Sequence, residues 1–286
     1  MVLGGSTLSY QALYRKYRPQ DFSSLVGQEH IQKILQHAVA QGRTVHAYLF
    51  CGPRGTGKTS TAKILAKAVN CLNPQNGEPC GVCPACQRIA AGTSLDILEI
   101  DAASNRGIDE VRDLRERVKY APAQEKLKVY IVDEVHMLTN EAFNALLKTL
   151  EEPPAHIIFI LATTEAHKVP LTVLSRCQRL DFHRIPDAAM ESRLQEIAQK
   201  EQIAITAEAV SLIAKQAQGG LRDAIGLLDQ AAGSSEGQVT LKLVQDLIGA
   251  VDSETVSQMA AYLAQKEIAA LLTGVQDMLA QGRDLR

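Results

Sequence analysis

Tryptophan is absent from the 286 residues, and aromatic side chains make up only 4%. Proteins that grip single strands do so largely by stacking bases on aromatic rings, so that is not expected to be the main binding device here. Long apolar runs are missing too. The longest, such as 157–162, are strand-sized and far short of the roughly 20 residues a helix needs to cross a bilayer. The N-terminus has neither the basic start nor the apolar stretch of a secretory signal. A cytoplasmic protein with no membrane association is therefore expected. Hydrophobic residues at 46% and charged residues at 22% sit near the globular norm, which excludes disordered, collagen-like and fibrous classes. The length is that of about two domains.

Net charge of one sign is also scarce, at -2 overall, but the sum hides a gradient. Residues 1–185 carry 22 Lys/Arg against 18 Asp/Glu, and residues 186–286 carry 8 against 14, giving +4 and -6. Such asymmetry fits different partners for the two halves, although charge scattered over solvated faces gives the same counts.

Six cysteines are present, and four fall in the pattern Cys71-x8-Cys80-x2-Cys83-x2-Cys86. In a reducing cytoplasm this clustering speaks for metal rather than disulfides. Four thiolates close a tetrahedral shell and leave no open position for substrate, so the reading is structural zinc. Buried free cysteines are the alternative, and they are the reading for Cys51 and Cys177.

Hydrophobic patterning divides the chain. Residues 1–8 read as a flexible tail or expression scar, and 9–22 as a basic, aromatic arm closed by Pro19. An amphipathic helix follows over 29–40. From 47 to 180, strands at 48–51, 97–100, 129–132 and 157–162 alternate with helices at 58–69, 108–119 and 140–151. Near-continuous apolar strands separated by helices predict a parallel sheet covered on both faces, an α/β domain spanning 9–185 with the cysteine module at about 71–86. After Pro186 the periodicity turns helical, with helices over 187–200, 207–217 and 221–232, so 186–236 reads as a small all-α domain. The composition of 233–237 predicts a linker. Residues 237–286 read as the beginning of a third, helical domain, truncated at its end.

The segment Gly52-Pro53-Arg54-Gly55-Thr56-Gly57-Lys58-Thr59 matches G-x4-G-K-[ST] between a strand and a helix. The glycines let successive N–H groups converge on phosphate oxygens at the positive end of the helix dipole. Lys58 is placed to neutralise the outer phosphates, and Thr59 to ligate Mg2+. The strand 129–132 runs into Asp133 and Glu134, where Asp133 can hold Mg2+ and Glu134 can polarise water. Paired acids at a strand end are also common helix caps, and the phosphate loop is what favours nucleotide hydrolysis. The string Asp133-Glu134-Val135-His136 echoes a helicase box. Glu151 and Glu152, before two prolines, read as solvated acids.

The motifs SYQALYRKYRP, LVGQEH, HAYLFCGPRGTGKTS, EIDAASN, VYIVDEVHMLT, FNALLKTLEEPP, LATTE, LSRCQR and GGLRDAIGLLDQ, together with the four-cysteine insert, resemble the tau/gamma motor family of the bacterial DNA polymerase III clamp loader, a branch of the AAA+ ATPases. The resemblance covers nearly the whole chain from Ser9. It implies an AAA+ domain, a helical lid and the start of a collar, with ATP, Mg2+ and structural Zn2+ as cofactors. It also implies that Thr164, or alternatively Thr163, senses the γ-phosphate and that Arg176 reaches in trans into a neighbour's ATP site. Arg222 is implied as a second sensor, and Tyr10, Arg18, Pro19 and Val26 as lining the base and ribose pocket. Ala166 departs from a proline usual in the family. Surface salt bridges are the alternative for both arginines, and strand propensity for the threonines.

The implied partners are delta, delta prime and further tau/gamma copies, the sliding clamp and primed DNA, at the replisome on the nucleoid. The truncated chain is expected to be monomeric alone. The polymerase name belongs to the holoenzyme, and no nucleotidyl-transfer site is expected in this chain. A DExH-type helicase or a non-hydrolysing scaffold subunit are the competing readings.

Overall fold

A computed structural model describes residues 10–104, 114, 116–235, 237–249 and 253–280. The tail expected over 1–8 and most of the helix expected over 108–119 lie outside the described residues. The α/β part is built on five parallel strands, β1 (Ala47–Cys51), β2 (Ile97–Asp101), β3 (Lys128–Asp133), β4 (Ile157–Thr163) and β5 (Gln178–Asp181), in the order β2-β3-β4-β1-β5. Side chains alternate between faces along each strand, and two cores result. Leu49, Tyr130, Phe159 and Leu161 pack on one face, and Tyr48, Phe50, Ile131 and Ile160 on the other.

The second core is covered by α2 (Glu29–Ala40), α3 (Lys58–Asn70) and α4 (Pro84–Ala91), through Ile31, Leu35, Ile64, Leu65 and Ile89. The first is covered by α5 (Asn140–Glu151), through Phe143, Leu146 and Leu150. Thr139 caps α5, its hydroxyl accepting the Ala142 N–H at 3.2 Å. The short α6 (Leu171–Leu174) precedes β5.

Beyond Ile185 the chain is helical, with α7 (Asp187–Lys200), α8 (Ala207–Gln216), α9 (Leu221–Ser234) and α10 (Leu241–Ile248). They close on Met190, Leu194, Ile197, Val210, Ile213 and Leu228. Two differences from the sequence reading appear. Gly233 and Ser234 finish α9 instead of opening a linker, because small residues are tolerated in a last helical turn. A two-residue parallel pair, β6 (Ala204–Ile205) with β7 (Gln238–Val239), brings the chain beyond 237 back onto this bundle, and Val239 and Val244 are buried in its core. The last elements, α11 (Ser253–Ala264) and α12 (Ile268–Ala280), pack on each other.

The N-terminal arm belongs to both halves. Leu13 of α1 (Leu13–Lys16) is buried in the helical core with Ile185, and Val26 packs against it. Buried Gln28 fastens the crossing point, donating to the His183 carbonyl at 2.7 Å and accepting the His183 N–H at 3.1 Å. Among the described residues no helix is long and apolar enough to cross a membrane.

Candidate functional site

Strand register sets the site. Cys51 pairs with Thr163 and Asp101 with Asp133, so β1, β3 and β4 deliver the phosphate loop, Asp133-Glu134 and Thr163-Thr164 to the same carboxyl edge of the sheet. Ligands of open α/β sheets bind outside that edge. Gly52, Gly55 and Gly57 all have positive φ, at 150°, 78° and 103°. A side chain at Gly52 would stand 2.4 Å from the Phe182 carbonyl oxygen, so close backbone packing as well as the turn requires glycine there. Gly57 caps α3 without a side chain, and among the described residues no side-chain hydrogen bond caps the first turn. This leaves a helix N-terminus suited to an anion.

Lys58 is buried, and its Nζ donates to the carbonyls of Gly52 at 2.7 Å and Pro53 at 2.8 Å. Burial holds its ammonium below the ordinary lysine value, while Glu134 and Asp133 act in the opposite sense. The Thr59 hydroxyl donates to Asp133 Oδ2 at 2.6 Å. Two hard oxygen atoms from α3 and β3 are thus already side by side, of the kind that Mg2+ takes in phosphate sites. Thr56 is buried and donates to the Pro53 carbonyl, while Arg54 is exposed.

Glu134 sits in the left-handed region at φ 48° and opens a short 3-10 turn, Val135–Met137. Its Oε2 accepts from the Thr164 hydroxyl at 3.1 Å and the Thr164 N–H at 3.4 Å. Thr163 faces elsewhere. It is fully buried, its hydroxyl lies 3.0 Å from His136 Nδ1, and it accepts the Glu165 N–H at 3.0 Å.

The residues assigned to the base pocket spread along the arm. Tyr10 donates to Asp229 of α9, and the same carboxylate accepts the Leu13 N–H at 3.1 Å. Arg18 donates to Ser60 of α3 at 3.0 Å, and burial lowers its guanidinium below the ordinary value. Pro19 is half-buried beside it.

Arg222 lies over the Tyr14 ring, 5.0 Å from its centroid. A cavity of about 780 Å3 is lined by Tyr14, Arg54, Arg222, Asp223 and Gln230, among others. It adjoins the loop at Arg54 without taking in Lys58, Thr59 or Asp133. Arg176 is engaged away from the loop, paired with Glu151 at 2.8 Å and donating to the Thr172 carbonyl at 2.7 Å.

The cysteine module is compact. The sulfur atoms of Cys71, Cys80, Cys83 and Cys86 all lie within 4.8 Å of one another. A tetrahedral zinc with bonds of about 2.3 Å separates sulfurs by about 3.8 Å, so the set fits such an ion. Backbone N–H groups of Cys80, Cys83 and Cys86 donate to the sulfurs of Cys71, Cys80 and Cys83 at 3.3, 3.4 and 3.5 Å, a second shell that favours thiolate. Burial acts to raise the Cys83 thiol, but the N–H groups of Leu72 and Cys86 and the neighbouring thiols outweigh it and hold it at about 6. Pro84 follows Cys83 at the first position of α4, its fixed φ favouring the turn.

Glu78 latches the module to the arm, accepting the N–H groups of Phe22 and Ser23, both at 2.8 Å, and the Gln36 amide at 2.7 Å. Sequence reasoning gave no part to Glu78, Tyr14, Gly220 or Glu165. The Gly219-Gly220 pair ahead of Leu221-Arg222 was the readable sign of a close backbone approach.

Comparison with known proteins agrees with this arrangement. Residues 27–186 match the family model described as DNA polymerase III, delta subunit, and residues 189–237 match that of the DNA polymerase III clamp loader subunit, ATPase lid domain. DNA polymerase III subunit tau of Bacillus subtilis is 53% identical over 97% of this chain and 49% of its own length. Subunit tau of Escherichia coli is 44% identical over 96% of this chain and 43% of its own. The chain thus spans about half the length of these relatives. Among solved structures, the Holliday junction branch migration motor RuvB of Thermotoga maritima has a TM-score of 0.59 at 17% identity, covering 91% of this chain and 85% of that one, a likeness of fold.

Proposed function

Because the chain belongs to the tau/gamma family of DNA polymerase III clamp-loader subunits, we propose that it is the ATP-binding and ATP-hydrolysing motor of a sliding-clamp loader. The observation that carries this reading is the 2.6 Å bond from Thr59 to Asp133 beside the buried Lys58, with Glu134 one residue further on. Backbone N–H groups of 54–59 and the Lys58 ammonium bind phosphates. Thr59 and Asp133 hold Mg2+, which supplies charge neutralisation at the phosphates when bound. Glu134 polarises the attacking water, and Thr164 couples Glu134 to the state of the phosphate.

Arg222 reports the nucleotide to the helical lid, and the arm carrying Tyr10, Arg18, Pro19 and Val26 shapes the base pocket between the two domains. Arg176 acts in trans on a neighbour's nucleotide, exchanging its Glu151 pairing for a phosphate. Zinc braces the insert and stays outside the chemistry. Binding energy drives conformation, through contacts that differ before and after hydrolysis.

In this reading the partners are delta, delta prime, further tau/gamma copies, the sliding clamp and primed DNA, in the cytoplasm at the replisome. In this reading residues 9–185 form the AAA+ domain and the helices from 186 the lid, whose core also takes in Val239 and Val244, with collar helices after it. DNA synthesis is left to other chains of the holoenzyme. A DExH-type helicase needs a second α/β motor lobe, whereas the helical bundle follows here. A scaffold subunit has no use for Lys58, Thr59, Asp133 and Glu134 together. ATP hydrolysis stimulated by DNA and clamp, measured with partner subunits supplied, tests the proposal. Lys58→Ala is expected to abolish it, and unchanged activity would refute the motor reading.

A further inference from the structure

The His136 side chain is only 7% exposed and lies between two carboxylates. Its Nδ1 is 3.3 Å from Glu134 Oε2 and 3.0 Å from the Thr163 hydroxyl, and its Nε2 is 3.1 Å from Glu165 Oε2. Glu165 is in turn held by Lys168 at 2.8 Å, and Thr163 is tied to the Glu165 N–H. The ring therefore bridges the turn after β3 to the turn after β4. A neutral imidazole has one N–H and one lone pair: an N–H on Nδ1 faces the Thr163 hydroxyl and lies beside Glu134 Oε2, whereas an N–H on Nε2 faces Glu165 and leaves Nδ1 to accept from the Thr163 hydroxyl.

The carboxylate of Glu134 is held asymmetrically. Thr164 and His136 converge on Oε2, and Oε1 has no hydrogen-bond donor among the described residues. Glu134 also sits at φ 48°, which fixes the direction in which its side chain leaves the backbone. One oxygen is anchored from two elements and the other is left for water.

We propose that His136 is a positioning residue for Glu134: its Nδ1–H, lying between the Thr163 hydroxyl and Oε2, holds Oε2 together with Thr164 so that Oε1 is presented to the attacking water, and the far side of the ring rests against Glu165 on the sensor turn. This rests on the hydrolysis reading of Glu134. Because the same ring also contacts Glu165 and the Thr163 hydroxyl, its position, and with it that of Oε2, depends on where the turn after β4 stands. That turn carries Thr163 and Thr164, so a shift there reaches the base through the ring.

The two amide replacements separate the two ring contacts. The amide nitrogen of asparagine stands near the place of Nδ1, and that of glutamine near Nε2. ATP hydrolysis by the full-length protein assembled with its partner subunits is measured for His136→Asn, His136→Gln and Glu134→Gln, with ATP affinity and melting temperature recorded for each.

His136→Gln is expected to lower kcat about 10- to 100-fold, the scale of a misplaced catalytic group, with ATP affinity within about twofold of wild type. His136→Asn is expected to retain kcat to within about threefold. Equal effects of the two replacements, or a loss confined to His136→Asn, would overturn the positioning role. Hydrolysis undiminished in Glu134→Gln would instead remove the hydrolysis reading, and the positioning role with it.

Should His136→Gln not fold, ring 15N resonances of otherwise wild-type protein decide the matter. The Nδ1 signal of His136 is expected to move on Glu134→Gln, and a signal that stays in place would overturn the contact.

Discussion

Gly55 of the phosphate loop and Gly220 at the start of α9 meet backbone to backbone, so that a side-chain carbon on Gly55 would lie 2.9 Å from the Gly220 Cα. The lid therefore rests on the loop itself, next to Arg222. Gly220 is equally confined, since a carbon added there would come 3.1 Å from the Arg54 carbonyl oxygen and 3.1 Å from Asp223.

Gly220→Val is expected to wedge the lid off the loop. ATP affinity should fall by about tenfold or more, as a contact of about 1.4 kcal/mol per tenfold is lost, while the melting temperature of the α/β domain changes little. Titration with a fluorescent ATP analogue checks the first and calorimetry the second.

Arg176→Ala is expected to spare ATP binding by the chain alone, because Arg176 pairs with Glu151 and Thr172 away from its own loop. In the assembled loader, hydrolysis should drop roughly a thousandfold or more at sites that draw on this residue. Mixing Arg176→Ala with Lys58→Ala copies and counting the surviving active sites tests whether the arginine works in trans.

The cysteine module predicts about one zinc per chain in protein purified without added metal. Cys83→Ser should lower both zinc content and melting temperature, read by metal analysis and thermal unfolding. A reduced, folded protein without zinc would contradict the assignment.

Asp96 gives a pH prediction. It is buried and accepts the N–H groups of Ala123, Gln124 and Glu125 at 2.8, 2.7 and 2.9 Å. Burial acts to raise its carboxyl, but those three donors, with Lys128, win and hold it below the ordinary value. An unfolded aspartate titrates near about 3.9, so the stabilisation is complete above that and is lost as pH falls through the lower folded value. Asp96→Asn should cost about 1 to 3 kcal/mol at pH 7 and flatten the acid limb of stability, measured by denaturant unfolding between pH 7 and 3.

Much of the sheet and the phosphate loop was legible in the chain itself. The strands read over 48–51, 97–100, 129–132 and 157–162 appear within a residue at each end, because the buried strands β1, β3 and β4 are continuous apolar runs and the half-buried edge strand β2 still keeps Ile97, Leu98 and Ile100. β5 was not, since Gln178, Arg179 and Asp181 are exposed and only Leu180 is buried, so this edge strand carries almost no apolar signal. α4 was hidden inside the cysteine spacing, which determines a turn and says little of the helix beyond it.

The residues that single motifs name, from Gly52 to Thr59 and Asp133 with Glu134, come together at one edge of the sheet as their motifs group them. Contacts between distant segments were not legible. The pairing of Tyr10 with Asp229 spans 219 positions, and nothing local to either residue announces it. Thr163 and Thr164 are adjacent and chemically alike. Only the pleat separates them, turning the first to His136 and the second to Glu134.

One helix joins the phosphate loop to the cysteine module. α3 opens at Lys58 beside the phosphate loop and runs to Asn70, and Cys71 follows directly. Thirteen residues at 1.5 Å each make a rod of about 20 Å. The loop at one end and the four sulfurs at the other are thus mounted on a single stiff shaft, and Glu78 bolts the far bearing to the arm. Loosening that bearing, by chelation or by oxidation of the thiols, would let the shaft wobble, and the error would emerge as poor nucleotide geometry two nanometres from the damage.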